Sequence, residues 1–211
     1  MRKEAAQEWR ITMKKVDLHV HSTYSDGTNT PKELIKLAEN EGLSAIALTD
    51  HDTLDGIPDA LDAAKNSSVE LIPGVELSTN FNNTEVHIVG LFLDYKNKQI
   101  NDYLIYQRQS RIDRNIQMCQ KFCDIGINIT YDKMCELYPD AVITRAHFAD
   151  YLVKNKYTGD RNEAFDRYLS PGKPCFVNRH KVDPEEAVAV IHKAHDAAIL
   201  AHPVLYHLGK D

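Results

Sequence analysis

A chain of 211 residues, 43% hydrophobic and 27% charged, can bury one sizeable core and has the composition of an ordinary globular domain. Its net charge of −6 and lack of a basic tail argue against a protein that grips long nucleic acid, although bound cations would still admit a small anionic substrate. No apolar run can span a bilayer, the N-terminus lacks a signal-peptide core, and Cys119, Cys123, Cys135 and Cys175 lack paired zinc spacing, so the expectation is a cytoplasmic protein with reduced thiols and no membrane partner.

Residues 1–12 read as an N-terminal extension, and residues 16–20 as the first strand. Thr30-Pro31-Lys32-Glu33 then supplies an N-cap, a proline at the first helical position and a capping-box glutamate. Leu34, Ile35, Leu37 and Ala38 stripe one face of that helix, which Gly42 ends. A strand at 44–48, a helix at 57–65 and a strand at 69–72 continue the alternation expected of parallel βα units. After a strand at 85–93 the rhythm changes, and residues 99–169 read almost entirely as helix, with turns near Gly126, Pro139 and Gly159. Asp183-Pro184-Glu185-Glu186 restarts the earlier rhythm, and its helix feeds a strand at 197–201. The expected organisation is a barrel segment at 13–96, a helical insertion at 97–178 and a return to the barrel at 179–211.

Chemistry gathers where strands end. His19 and His21 alternate with apolar residues on the first strand, and Asp26 follows in the next loop. Thr49-Asp50-His51-Asp52 closes the second strand, Glu76 follows the third, and His87 and His202 (in Ala-His-Pro) extend the set. The carboxyl edge of parallel strands is where active sites form in βα folds. One such histidine alone is more often a hydrogen-bonded structural residue. The whole set points instead to a divalent-metal cluster, and mixed imidazole and carboxylate donors suit zinc, manganese or iron and do not favour a soft thiolate site.

His19-x-His21, Asp26, Thr49-Asp50-His51-Asp52, Gly74-Val75-Glu76, His87 and Ala201-His202-Pro203 resemble the motifs of the polymerase and histidinol phosphatase (PHP) superfamily. The resemblance implies an α/β fold, a distorted (β/α)7 barrel carrying the helical insertion, with up to three divalent metals at the strand ends. By that resemblance His19, His21 and Glu76 hold the first ion, Asp26 and His51 the second, and Glu76, His87 and His202 the third. Asp26 and His51 are the expected catalytic residues, and Asp17, Asp50 and Asp52 are expected to orient the ligand imidazoles. The family pattern also carries a later Asp-x-His, absent after His202, so a C-terminally shortened barrel is expected.

The insertion resembles that of phosphatases acting on nucleoside 3′,5′-bisphosphates, whose relatives trim short RNA from the 5′ end. Arg108, Arg111 and Arg114 lie three apart on a predicted helix, where forked donors can bind phosphate oxygens, and Thr144-Arg145-Ala146-His147 resembles a motif lining the substrate pocket. Arg111, Arg114, Thr144 and His147 are therefore the expected substrate contacts. The implied reaction is metal-assisted hydrolysis of a small phosphorylated nucleotide by hydroxide attack, without a covalent protein intermediate. The alternatives are a histidinol-phosphate-type phosphatase and a noncatalytic metal- or nucleotide-binding chain.

Overall fold

The computed structural model describes residues 14–82, 84–179, 182–194 and 197–206, so the extension read at 1–12 lies outside it. In chain order the elements are β1 (Lys15–Val20), α1 (Pro31–Asn40), β2 (Leu43–Leu48), α2 (Ile57–Ala64), β3 (Glu70–Phe81) and β4 (Thr84–Leu91). They are followed by α3 (Lys98–Asp124), α4 (Tyr131–Leu137), α5 (Arg145–Lys154), α6 (Arg161–Ala164) with a π-helical turn (Phe165–Leu169), α7 (Pro184–Lys193) and β5 (Ala197–Leu200). One sheet in the order β1-β2-β3-β4-β5 forms an open α/β half-barrel.

The local signals act as the sequence predicts. Thr30 accepts from the Glu33 amide while the Glu33 carboxylate accepts from the Thr30 amide, so α1 begins with a reciprocal capping box. Asp183 caps α7, accepting from the Glu185 amide, with Pro184 at the first position. Alternation splits each strand between two environments. Ile46, Leu48, Val75, Leu77, Val86 and Ile88 pack beneath α1, α2, α7 and the start of α3, each buried aliphatic side chain contributing roughly 1.5–3 kcal/mol. Ala45, Ala47, Ile72, Val89 and Leu91 form a smaller cluster on the opposite face, the face that also carries Glu76 and His87.

Two strand readings are corrected. The strand expected at 69–72 runs from Glu70 to Phe81, and its second half forms an antiparallel hairpin with β4 rather than another parallel βα unit. Pro73-Gly74 looks like a strand breaker in sequence. In the fold, however, Pro73 is the last residue paired with β2, at Leu48, and Gly74 the first paired with β4, at Leu91, so the missing amide falls at a handover between ladders. Gly74 is required there, because a Cβ would lie 2.8 Å from the Gly90 carbonyl oxygen. Strand β5 likewise pairs antiparallel with β4, so among the described strands parallel pairing is confined to β1–β2 and β2–β3. Glu76 consequently sits within a strand, just past the end of β2, rather than after one.

The helical stretch has its own core, in which Met118, Phe122, Met134, Phe148, Leu152 and Leu169 are buried together and Phe122 stacks on Phe148 with centroids 5.9 Å apart. Helix α3 belongs to both cores. Ile100 and Leu104 pack with the sheet, whereas Met118, Cys119 and Phe122 pack with the insertion.

Candidate metal centre

The loop after β1 is wound tightly around Ser22, whose carbonyl accepts from the amides of Ser25 (3.1 Å) and Gly27 (3.0 Å). A side chain at position 27 would place its Cβ 2.1 Å from the His21 carbonyl oxygen, so only glycine closes this turn. Buried Asp50 fixes the loop from below, accepting from the Ser22 amide (2.7 Å) and from the hydroxyls of Ser22 and Ser25 (2.6 Å each). Burial raises the Asp50 pKa, and the serine donors oppose that rise. Beyond β2 a short parallel ladder continues. The Glu76 amide donates to the Asp50 carbonyl (3.2 Å) and the Asp52 amide to the Glu76 carbonyl (3.0 Å), which pins His51 beside Glu76.

Glu76, 1% exposed, is the hub of the site. Its Oε2 faces His21 Nε2 at 3.0 Å, His19 Nε2 at 3.1 Å and His51 Nδ1 at 3.3 Å. Its Oε1 faces His202 Nε2 at 2.9 Å and His87 Nδ1 at 3.0 Å. Asp26 lies at the far side of His51, 3.5 Å from its Nε2 and 3.7 Å from His21 Nδ1. Burial alone would raise the Glu76 pKa, but hydrogen bonds from His19, His21 and His87 hold it well below the usual carboxylate range. Burial pushes His51 down to about 3, leaving it neutral as a metal ligand must be. Burial also works against His87, yet Glu76 and Glu85 together carry it up to about 9.

This donor set fits divalent ions. Five imidazoles face one carboxylate, more than its two oxygens can serve well as a hydrogen-bond acceptor. His51 Nδ1, although 3.3 Å from Glu76, is a buried nitrogen with no hydrogen bond, because the contact is close but poorly aligned. His19 Nε2, His21 Nε2 and Glu76 Oε2 form a triangle with edges of 3.0–3.1 Å. Ligands on one tetrahedral ion with bonds of about 2.0–2.1 Å lie about 3.3 Å apart, which is close to that spacing. Among the described residues three groups of donors converge, namely His19/His21/Glu76, His21/Asp26/His51 and His51/Glu76/His87. His202 joins the third through Glu76 Oε1.

Of the aspartates expected to orient imidazoles, Asp50 is linked to one through a serine, whereas Asp17 and Asp52 have other partners. Asp17 accepts from the backbone amide of His19 (3.2 Å), and Asp50 reaches His21 only through Ser25, whose hydroxyl is 3.3 Å from His21 Nδ1. Asp52, fully buried in the left-handed region (φ 52°), pairs with Arg111 and Arg179 and accepts from the Ser78 amide at 2.9 Å. Burial opposes its ionisation, and the two guanidiniums override burial to hold its carboxyl far below the usual range. Glu85, 3.2 Å from His87 Nε2, and Tyr206 also contact imidazoles of the set. The Tyr206 hydroxyl accepts from the His87 amide (2.9 Å) and contacts His202 Nδ1 (3.0 Å). Neither was singled out for this role from sequence, although Glu85 shares the strand face of His87 by alternation.

The arginine stripe divides. Arg108 pairs with Asp55, and Arg111 donates through Nη2 to Asp52 and to the Ser78 hydroxyl (2.9 Å), while its buried Nε has no hydrogen-bond partner. Arg114, 5% exposed, donates through Nε to Asn115 (2.9 Å) and keeps its Nη2 buried without a partner. It lines a cavity of about 490 Å³ with Glu85, His87, Arg145, Arg179 and His202. Burial first, and then Arg111, Arg145 and Arg179, lower its pKa, the mark of cations crowded together. Arg145, ion-paired with Glu85, and Arg179 had no periodic signal to reveal them. Thr144 and His147 form the capping box of α5 instead of lining this cavity, and His147 Nδ1 accepts from the Thr144 amide at 2.9 Å.

The PHP domain profile matches residues 17–199. The chain belongs to the PHP domain family. The 5′-3′ exoribonuclease of Haemophilus influenzae is 42% identical over 195 residues, which cover 92% of this chain and 71% of that protein. The 3′,5′-nucleoside bisphosphate phosphatase of Chromobacterium violaceum is 36% identical over 201 residues, covering 94% and 70% respectively. A solved Chromobacterium violaceum structure, described as an amidohydrolase with bound sulfate and no metal, matches with a TM-score of 0.87 at 36% identity, over 93% of this chain and 69% of that one. The open half-barrel is thus part of a distorted PHP barrel, and the chain is a phosphoric ester hydrolase of that family. No helix among the described residues of this PHP chain is long and apolar enough to cross a membrane.

Proposed function

We propose that this chain hydrolyses a phosphomonoester of a small nucleotide carrying a second phosphate, a nucleoside 3′,5′-bisphosphate being the prime case. The observation that carries the reading is the contiguity of two sites. His87 and His202, which face Glu76 Oε1, also line the cavity that holds Arg114, Arg145 and Arg179. A scissile phosphate at the metal centre would leave a second anion within reach of guanidiniums, two of which, Arg114 and Arg179, each keep a buried donor without a hydrogen-bond partner. The name of the Chromobacterium violaceum relative supports the same substrate class.

His19, His21 and Glu76 would hold one divalent ion, Asp26 and His51 with His21 a second, and Glu76, His87 and His202 a third, manganese, iron and zinc being the candidates. Such ions, when bound, supply Lewis-acid charge on phosphoryl oxygens and make water acidic enough to react near neutral pH. The protein's own contribution is placement. Glu76 gathers five imidazoles, burial keeps His51 neutral, and Asp50 holds the loop that presents Asp26. The arginines fix the second phosphate, so the reacting group is oriented by binding energy from a remote part of the substrate.

The test is inorganic phosphate release from adenosine 3′,5′-bisphosphate and from p-nitrophenyl phosphate, each with manganese. Charge-assisted hydrogen bonds worth about 1.5–3 kcal/mol predict a preference of roughly 10- to 150-fold in kcat/KM for the bisphosphate, which Arg114→Met narrows. Equal rates on both would sink the bisphosphate reading and favour another small-molecule phosphatase, such as a histidinol-phosphate type. The 42% identity to an exoribonuclease favours a second substrate, the 5′ end of a short RNA, whose next phosphate would occupy the arginine cavity.

A further inference from the structure

The insertion meets the metal loop at and just before the start of α5. The Val142 amide donates to the Tyr24 carbonyl at 2.9 Å, and the Thr144 hydroxyl lies 3.2 Å from Asp26 Oδ2. His147, buried one turn on, hydrogen-bonds the backbone of Ser25. These contacts bracket Asp26 on the loop that Gly27 closes.

The Thr144 hydroxyl has one proton and two neighbours that could receive it. His147 Nδ1 is 3.4 Å away, and its lone pair already accepts from the Thr144 amide at 2.9 Å. Asp26 is an ionised carboxylate with acceptor capacity to spare, and a carboxylate is the stronger acceptor. The hydroxyl oxygen meanwhile accepts from the Ala146 amide at 3.1 Å as the helix cap. Thr144 therefore has the geometry to close α5 with its lone pair and steer Asp26 with its proton.

We infer that Thr144 is a positioning residue for Asp26, so that the helical insertion helps to set the metal site at His21, Asp26 and His51. This rests on the metal reading given above. A cap alone could be any good acceptor, whereas steering a carboxylate needs a donor. Asp26 itself makes no closer contact to His51 or His21 than 3.5 Å, so its orientation is not fixed by those rings.

The test exploits the tolerance of helix N-caps for glycine, which costs a helix only a few tenths of a kcal/mol relative to threonine while removing the hydroxyl. The chelator-stripped 211-residue chain and its Thr144→Gly and Thr144→Ser variants are titrated with manganese alone, bound ions being counted by elemental analysis after equilibrium dialysis and folding followed by urea denaturation. The inference expects one class of ion to bind about 10- to 100-fold more weakly in Thr144→Gly, as is usual when a group orienting a ligand is lost, and Thr144→Ser to restore it. It also expects Asp26→Asn to lose the same ion, with Thr144→Gly adding nothing further in that background. Wild-type affinity in a folded Thr144→Gly would overturn the positioning role and leave a cap. Should Thr144→Gly fail to fold, Thr144→Asp, which keeps a capping acceptor but has no proton to offer Asp26, decides the matter: weakened manganese binding in this variant supports the role and unchanged binding overturns it. Failure of the wild-type chain to bind manganese would overturn the metal reading and this inference with it, an outcome distinct from the first.

Discussion

Replacing Asp52 tests whether the buried arginine cluster is held by one carboxylate. Asp52 is fully buried, pairs with Arg111, and lies 3.3 Å from the Arg179 guanidinium, which is itself 5% exposed. Asp52→Ala leaves two buried cations facing each other with their shared counter-ion gone. Removing one member of a buried pair costs about 3–5 kcal/mol, and here two guanidiniums are stranded, which places the loss at the upper end. Arg111→Met removes the other half of the same pair, but Asp52 keeps Arg179 and the Ser78 amide at 2.9 Å. The remaining cost is that of a lost charged hydrogen bond, about 1.5–3 kcal/mol, offset by relief of repulsion between arginines. Urea unfolding of the two variants should rank Asp52→Ala well below Arg111→Met, and at about 2–4 °C per kcal/mol the melting temperatures should separate by several degrees. An Arg111→Met chain as unstable as Asp52→Ala would show that Asp52 is not the shared anchor. The same geometry predicts that Arg111→Met changes KM for a bisphosphate little, whereas Arg114→Met, at the cavity wall, raises it.

Gly27→Ala should displace the Asp26 loop, since the new Cβ would meet the His21 carbonyl oxygen at 2.1 Å, and a manganese titration should show loss of affinity of at least about 10-fold. Tyr206→Phe removes the hydroxyl joining the His87 amide to His202 Nδ1, and metal retention during dialysis should fall by about 10- to 100-fold for the ion on that side. Chelation should lower the melting temperature, and adding manganese or zinc back at about 100 times its Kd should restore roughly 2.7 kcal/mol; an unchanged melting curve would mean that no ion stabilises the native fold. Thr30→Ala, which breaks the capping box of α1 far from the site, should cost about 1 kcal/mol of stability and leave phosphatase turnover unaltered.

How much of this was legible in the sequence depends on the range of the interactions involved. Thr30-Pro31 and Asp183-Pro184 announce their helices because capping is settled within three residues. The seven expected ligands converge because alternation places His19 and His87 on inward faces and because His21, Asp26, His51 and His202 fall just beyond strand ends. The β3–β4 hairpin was hidden by Pro73-Gly74, whose breaker chemistry is real but is used at a change of partner. Charge partners were the least readable. Arg111 and Arg114 look equivalent on a helix, and only the arrival of Asp52, 59 residues away, commits one and leaves the other at the cavity. Arg179 comes from a segment without regular structure, and Tyr206 lies four residues beyond the histidine it contacts in a short 3-10 turn, so neither had a pattern to carry it.

The position of Glu76 gives the centre a mechanical meaning as well. His87 and His202 meet on the same carboxylate oxygen, although the second lies 126 residues from Glu76. Everything between those two histidines, the whole helical insertion included, is an excursion whose feet stand side by side. An ion held there would act as a cross-link closing a long loop, a kind of staple whose benefit to the native state grows with the length of chain it encloses. Loading the site would then tie the insertion down at its base and make its resistance to proteolysis a gauge of metal occupancy.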